Sequence, residues 1–381
     1  MKLRSHWSFP NSIRFGENRI LEIEKSCDSA NIKNPLFVTD KNLVNSNIFL
    51  NTINLVNQFC SKNCVFSDVE SNPNQFNLYN GIEKFKSGRF DGVIAFGGGS
   101  ALDIGKLIAF MAEQSLSVWE FEDIGSNWTK AKSEKIFPII AIPTTAGTGS
   151  EVGRASVLSN TELNVKKIIF HPLMLPKEVI CDPSLTFDLP KKLTAGTGMD
   201  AFAHCLEAFS SNYYHPMATG IAIEGMKVVK NNIFLAYNEP KNIFARSNMM
   251  SAALMGATPF QKGLGAIHAL SHSIGALFNT HHGTTNAVIM PEVLKFNREA
   301  IEEKITSICS YLDIKNNFNG FLDLIYLLND ELNIPNSLKE LEIDENKIDL
   351  IAKMALEDPT AKGNPLELNL QNTTKLIENC F

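Results

Sequence analysis

Short apolar runs alternate with amphipathic stretches through the first half of the chain. Leu36-Phe37-Val38-Thr39, Val93-Ile94-Ala95-Phe96, Pro138-Ile139-Ile140-Ala141-Ile142 and Val179-Ile180-Cys181 show almost no polar interruption. Runs that are apolar on both faces are the pattern of parallel strands covered by helices on either side. Helical patterns between them predict a doubly wound α/β domain. The texture changes near Asp182-Pro183-Ser184, and the rest reads as helices almost throughout. They are predicted over 194–212, 216–233, 241–257 and 263–278, with several more toward the C-terminus. Pro183, Pro190, Pro216, Pro259 and Pro291 read as the breaks between them. The pattern thus predicts an α/β domain with a parallel sheet over 1–185 and an all-α domain over 186–381. A ligand is expected in the cleft between them.

Composition narrows the function classes. With 381 residues, 44% hydrophobic and 20% charged, the chain has a full core and is not a disordered segment. A net charge of −6 repels phosphate backbones over most of the surface, so a nucleic-acid partner is not expected. The seven cysteines are odd in number and scattered, which argues against a disulfide framework and suits a reducing cytosol. Cys60 and Cys64 make a CxxxC without a second pair, and read as two reduced thiols. The start, MKLRSHWSFPNSIRFG, lacks the apolar core of a signal peptide. No run of 18 apolar residues is present, so neither a leader nor a membrane span is expected.

Two loops after predicted strands carry candidate chemistry. Phe96-Gly97-Gly98-Gly99-Ser100 lies between a strand and a helical run. Its glycines permit a tight turn and close approach of backbone N–H groups to a pyrophosphate at a helix N-terminus. The second, Pro143-Thr144-Thr145-Ala146-Gly147-Thr148-Gly149-Ser150-Glu151, clusters hydroxyls past the C-terminal end of the next strand. Open α/β sheets bind ligands there. Together the loops predict a dinucleotide-binding domain. Asp40 ends an earlier strand, where a carboxylate accepts from a ribose 2′-OH and repels a 2′-phosphate. That favours NAD while leaving NADP open; a simple aspartate cap is the alternative.

The helical half concentrates histidines. Asp200 and His204 are spaced i, i+4, as are His268 and His272, and each pair shares a helix face. His281 and His282 follow closely. Carboxylate with imidazole suits Fe(II), Zn(II) or Mn(II), and a proton relay without a metal is the competing arrangement.

These residues resemble the iron-containing alcohol dehydrogenase family. The carrying motifs are GGGSALDIGK at 97–106, PTTAGTGSEV at 143–152, GMDAFAHCLEAF at 198–209 and GLGAIHALSHSIGALFNTHHGTTNAVIMP at 263–291. Weaker matches at Asn72-Pro73, Asp182-Pro183 and Asn364-Pro365 extend the similarity over nearly the whole chain. The resemblance implies a dinucleotide-binding α/β domain before an all-helical metal-binding domain, and a homodimer. It implies Fe2+ (Zn2+ or Mn2+ being possible) held by Asp200, His204, His268 and His282. His272 falls at the family's non-ligand histidine facing substrate and nicotinamide, where it is the candidate to pass a proton. His281 stands where another residue is usual. The cofactor contacts implied are Asp40, Asn72, Gly98, Gly99, Ser100, Thr144, Thr145 and Thr148, with Lys167 near the ribose. The implied reaction is hydride transfer between a nicotinamide and a small alcohol/aldehyde pair.

The chain also departs from the family pattern. Gly153-Arg154 follow SEV, and Gln261-Lys262 precede the histidine helix, so these segments look most like the 4-hydroxybutyrate dehydrogenase branch. Arg154 and Lys262 put positive charge where an acidic substrate such as 4-hydroxybutyrate or succinic semialdehyde would be held, arginine bidentately. A phosphonate or sulfonate aldehyde satisfies the same charges. An uncharged substrate remains if Arg154 pairs with a structural acid. The rival classes are a non-redox dehydroquinate-synthase-like lyase and a non-catalytic metal- and nucleotide-binding protein.

Overall fold

The computed structural model describes residues 11–56 and 63–381. Cys60 and residues 1–10, which the thiol-pair and leader readings involve, lie outside them. The described chain divides into two compact units: residues 11–145 with 149–188, and residues 189–381 with 146–148.

The first unit is built on parallel strands. These are β1 (Ser12–Phe15), β2 (Pro35–Val38), β3 (Val65–Phe66), β4 (Gly92–Gly97), β5 (Ile139–Pro143) and β8 (Glu178–Cys181). They form one sheet in the order β1-β8-β5-β4-β2-β3, with every neighbouring pair parallel. Helices α1 (Ile23–Ala30), α2 (Asn47–Val56), α3 (Gln75–Ser87) and α4 (Gly99–Met111) alternate with the strands. β2, β4, β5 and β8 are buried along their whole length, which is why their sequences show no alternation. Because the sheet is parallel, the C-terminal ends of β2, β4 and β5 lie at one edge.

Two further strands, β6 (Ala155–Asn160) and β7 (Val165–Phe170), form an antiparallel pair outside that sheet. No apolar run predicts them. β6 alternates strictly between half-buried and buried positions, and β7 spends Lys166 and Lys167 on a half-exposed face. A ribbon with one wet face has no continuous hydrophobic stretch to read.

The second unit is helical, and no strand falls in it among the described residues. It comprises α5 (Lys191–Ser210), α6 (Pro216–Asn238), α7 (Ile243–Ala257), α8 (Ala266–Phe278), α9 (His282–Cys309), α10 (Asn317–Glu331), α11 (Ile348–Glu357) and α12 (Leu370–Asn379). Among the described residues no helix is long and apolar enough to cross a membrane.

Pro291 does not break a helix as its sequence position predicts; it lies inside α9. A helical proline has no N–H and leaves the carbonyl four residues earlier without its partner. Here that is Ala287 O, and Asn329 of α10 donates its Nδ2 to it at 2.8 Å. Asn329 is 3% exposed, so the side-chain amide replaces the missing ladder bond inside the core. Asn329→Ala is therefore expected to lower unfolding stability by about 1–3 kcal/mol, the cost of a buried unpaired carbonyl, read as a shift in denaturant midpoint. Adding Pro291→Ala restores the backbone donor and should recover part of that loss. Equal losses in the single and double variants would remove the compensating role.

Candidate metal centre and nucleotide edge

Four side chains converge in the helical unit. One ligand atom each from Asp200, His204, His268 and His282 lies within 4.8 Å of the others. Asp200 Oδ1 is 3.5 Å from His204 Nε2, 3.7 Å from His268 Nε2 and 3.5 Å from His282 Nε2. These separations exceed hydrogen-bond length. They resemble the ~3.4 Å spacing between donors about a four-coordinate ion with ~2.1 Å bonds. Three imidazoles and a carboxylate are also the donor set that suits a borderline divalent ion.

Local structure explains the convergence. Asp200 and His204 are one turn apart on α5. His268 stands at the start of α8 and His282 is the first residue of α9. Bare backbone lets α9 approach α5: a Cβ on Gly283 would sit 2.1 Å from Gly196 O and 2.9 Å from Asp200 Cβ. The neighbouring histidines divide two tasks. His281 is the N-cap of α9 and its Nδ1 accepts from Thr284 N at 3.3 Å. His282 turns Nδ1 to Ser271 Oγ at 3.2 Å and its other nitrogen to Asp200.

The electrostatics follow from burial. Desolvation alone would raise the Asp200 pKa, but the imidazoles of His204, His282 and His268 outweigh it and hold the carboxyl well below its usual range. His204 is pushed down to about 3, burial prevailing over its attraction to Asp200. His268 is up at about 9: burial would lower it, but Glu207 and Asp200 prevail. The spacing and donor set of the four residues fit a divalent ion, which would compete with protons for the imidazole lone pairs.

His272 stands one turn beyond His268 and does not join the four. Its ring stacks on His282 at 5.2 Å between centroids, and its Nδ1 lies 2.9 Å from Asp358 Oδ2. Asp358 Oδ1 accepts from Thr360 N at 2.9 Å. Burial would raise Asp358, but His272 and the Thr360 bonds outweigh it and lower it. Sequence reading missed Asp358, Glu207 and Asn286. Asn286 donates Nδ2 to Asp200 Oδ1 at 2.8 Å. Glu207 left a signal, since it continues the Asp200, His204 face of α5 at the next helical step, as did Asn286, one turn after His282 on α9.

Most of the predicted nucleotide residues follow strands at the C-terminal edge of the sheet: Asp40 after β2, Asn72 after β3, Gly98 to Ser100 after β4, and Thr144 and Thr145 after β5. Gly97 takes φ +149° and pairs with Pro143, and Thr144 N donates to Gly97 O at 2.9 Å. A Cβ on Gly98 would lie 3.3 Å from Thr145 Cγ2, so the two loops touch. Gly98 is the N-cap of α4 and Gly99 its first residue. Ser100 Oγ donates to Ser71 O at 2.6 Å. Asp40 Oδ1 accepts from Asn42 N and Leu43 N at 2.8 and 3.1 Å, an aspartate turn. Asn72 Oδ1 accepts from Lys166 Nζ at 2.8 Å. Thr148 belongs to the short segment grouped with the helical unit. Two residues of the glycine-loop motif act as struts: Asp103 Oδ2 accepts from Val157 N at 2.9 Å, and buried Lys106 donates Nζ to Ser150 O at 3.0 Å.

The three predicted cations have separate fates. Lys167 pairs with Glu122 at 2.8 Å. Arg154 lies over the Phe170 ring at 5.4 Å; burial raises the Asp123 carboxyl, and attraction to Arg154 offsets that only in part. Lys262 requires correction. It is 5% exposed, and its Nζ donates to the carbonyls of Ala208, Phe209 and Ser211 at 2.7, 3.1 and 2.7 Å. All three ammonium hydrogens are used at the C-terminal end of α5, where carbonyls and the helix dipole favour a cation. None is left for a substrate.

Known proteins share this pattern. The family model "Iron-containing alcohol dehydrogenase" matches residues 10–183, and its C-terminal companion, "Fe-containing alcohol dehydrogenase family, C-terminal", matches 194–381. The 4-hydroxybutyrate dehydrogenase of Cupriavidus necator is 35% identical over 96% of either chain. The crystal structure of a 1,3-propanediol oxidoreductase superposes with TM-score 0.92 at 31% identity, over 99% of this chain and 100% of that one. A sulfoacetaldehyde reductase from Bifidobacterium kashiwanohense, solved with NAD+, gives TM-score 0.89 at 28% identity over 100% of this chain and 99% of that one. The chain belongs to the iron-containing alcohol dehydrogenase family and is an enzyme of alcohol and aldehyde oxidoreduction.

Proposed function

We propose that this enzyme is an iron- and NAD-dependent dehydrogenase of a small alcohol bearing an acidic group, of the 4-hydroxybutyrate/succinic semialdehyde kind. The convergence of Asp200, His204, His268 and His282 within 4.8 Å carries the metal assignment. When bound, the ion supplies Lewis-acid polarisation of the carbinol or carbonyl oxygen, and the nicotinamide supplies the hydride acceptor or donor. Asp200 and the three imidazoles would hold the ion. Asp40, Asn72, Gly98, Gly99, Ser100, Thr144 and Thr145 would hold the dinucleotide at the sheet edge, with Thr148 and Lys167 as further contacts. The free oxygen of Asp40 would accept from a ribose 2′-OH, which favours NAD over NADP. His272 would donate Nδ1–H to Asp358 and keep Nε2 as an acceptor, taking the hydroxyl proton on oxidation and returning it on reduction. A homodimer belongs to this reading. A reducing, cytosolic compartment does too, in line with six free, buried cysteines among the described residues.

Arg154 is the proposed partner of the substrate's acidic group. The likeness to a 4-hydroxybutyrate dehydrogenase supports a carboxylate. The likeness to a sulfoacetaldehyde reductase makes a sulfonate aldehyde the second reading. An anaerobic panel of 4-hydroxybutyrate, succinic semialdehyde, sulfoacetaldehyde, phosphonoacetaldehyde, lactaldehyde and propanediols, with Fe(II) and either nicotinamide, separates them by kcat/KM. On the best acidic substrate Arg154→Ala is expected to raise KM about 10- to 100-fold, as befits a lost charged hydrogen bond of roughly 1.5–3 kcal/mol. Propanediol kinetics should be unchanged. A uniform effect on charged and neutral substrates would remove Arg154 from recognition.

The two histidines of α8 should separate cleanly. His268→Ala is expected to purify without metal and without turnover. His272→Ala should keep its metal while kcat falls roughly 10²- to 10⁴-fold, the usual range for a positioned proton-transfer group. Metal content by elemental analysis beside steady-state rates checks both. Wild-type kcat in His272→Ala would end its assigned role.

A further inference from the structure

We infer that Glu207 is the positioning residue of the metal centre, holding His268 in the tautomer that leaves Nε2 open to the ion. The inference rests on the metal reading above. Glu207 lies on α5 three residues after His204 and seven after Asp200, so all three share one helix face. Its two carboxylate oxygens are divided between two partners. Oε2 lies 2.6 Å from His268 Nδ1, and Oε1 accepts from Ile267 N at 2.6 Å. A carboxylate has no proton to give, so His268 must donate from Nδ1. In the neutral ring Nε2 then carries the lone pair, and Nε2 is the atom 3.7 Å from Asp200 Oδ1.

The Ile267 bond shows why the carboxylate is so placed. The N-cap of α8 is Gly265, which makes no side-chain cap. The amides at that end have no partner within the helix and need acceptors from elsewhere. Asn364 Oδ1 accepts from Ala266 N at 3.2 Å, and Glu207 takes Ile267 N. A Cβ on Gly265 would stand 3.1 Å from Glu207 Oε1 and 3.0 Å from Asn364 Oδ1, so the missing side chain makes room for both acceptors. One carboxylate thus fixes the ring of His268 and the start of its helix from the helix that carries Asp200 and His204. It also supplies the second negative charge: with Asp200, two buried carboxylates balance a 2+ ion, whose burial would otherwise go uncompensated.

Glu207→Gln keeps the shape and removes this logic. If the amide oxygen stays with Ile267 N, the NH2 group faces His268 Nδ1 and makes it an acceptor. The ring proton then moves to Nε2 and blocks the ligand position. If the amide turns over, its NH2 group meets Ile267 N–H, donor against donor in a buried place. The experiment is chelator competition on full-length holoprotein loaded anaerobically with Fe(II), repeated with Zn(II). Thermal unfolding of the metal-loaded and metal-free forms accompanies it. The expected result is a chelator midpoint about 10- to 100-fold lower in Glu207→Gln than in wild type, the range for lost outer partners of ligand histidines, with a smaller metal-induced rise in Tm. An equal midpoint for the two proteins overturns the inference, even where Tm falls in both forms, since that marks a helix cap alone. Failure of the wild type itself to take up metal overturns the metal reading instead. Should Glu207→Gln not fold, Glu207→Asp replaces it: the charge stays but stops one methylene short of His268, and the same outcomes decide.

Discussion

A carboxylate buried among imidazoles is the constraint around which the helical unit is organised. Asp200 is 2% exposed, and a lone ion in such a place is strongly disfavoured. Its neighbours are three histidine nitrogens too far away for hydrogen bonds and one amide, Asn286, that donates to it. Attraction to imidazoles holds the charge on Asp200 in the protein alone. A divalent cation satisfies the same four atoms more fully, because it draws on every lone pair at once. The features that bring α5, α8 and α9 together serve this one cluster. They include the bare contact between Gly196 and Gly283 and the histidine cap that starts α9.

What was legible in the sequence depended on how many faces of an element are buried. Strands such as β4 and β5 are dry on both sides, and their hydrophobic runs stand out without further context. β3 has two residues, and β1 carries two exposed ends in four; neither offers enough pattern. The β6–β7 ribbon is wet on one face and breaks its apolar residues with lysines. Pro291 misled for a different reason. A proline breaks a helix only if nothing else serves the orphaned carbonyl, and the donor that serves it comes from a residue 42 positions away.

The candidate site divides in a similar way. Ligand histidines and the glycine and threonine loops are carried by local spacing and by motifs, so they could be named from the chain. The carboxylates that contact the histidines of α8 are long-range partners. Asp358 lies 86 residues from His272, and Glu207 lies 61 from His268. Charge alone was an unreliable guide to substrate recognition. Lys262 and Arg154 both interrupt family motifs with a cation, yet Lys262 is spent on the carbonyls ending α5. An ammonium with three donors matches a helix C-terminus well, whereas the guanidinium of Arg154 sits 5.4 Å from the centre of the Phe170 ring and acts on the Asp123 carboxyl.

The two histidines of α8 show how one helix face gives two different placements. His268 and His272 are a turn apart, and each presents Nδ1 to a buried carboxylate, Glu207 in one case and Asp358 in the other. Each ring is thereby fixed with Nε2 as its free end, so tautomer does not distinguish them. Position does: His268 Nε2 points at Asp200, while the ring of His272 lies parallel to His282, within 15°. An imidazole stacked on a ligand's ring is held beside the cluster without entering it. Two carboxylates from different parts of the chain orient the two rings alike, and the turn of helix between the rings sets one within the cluster and the other beside it.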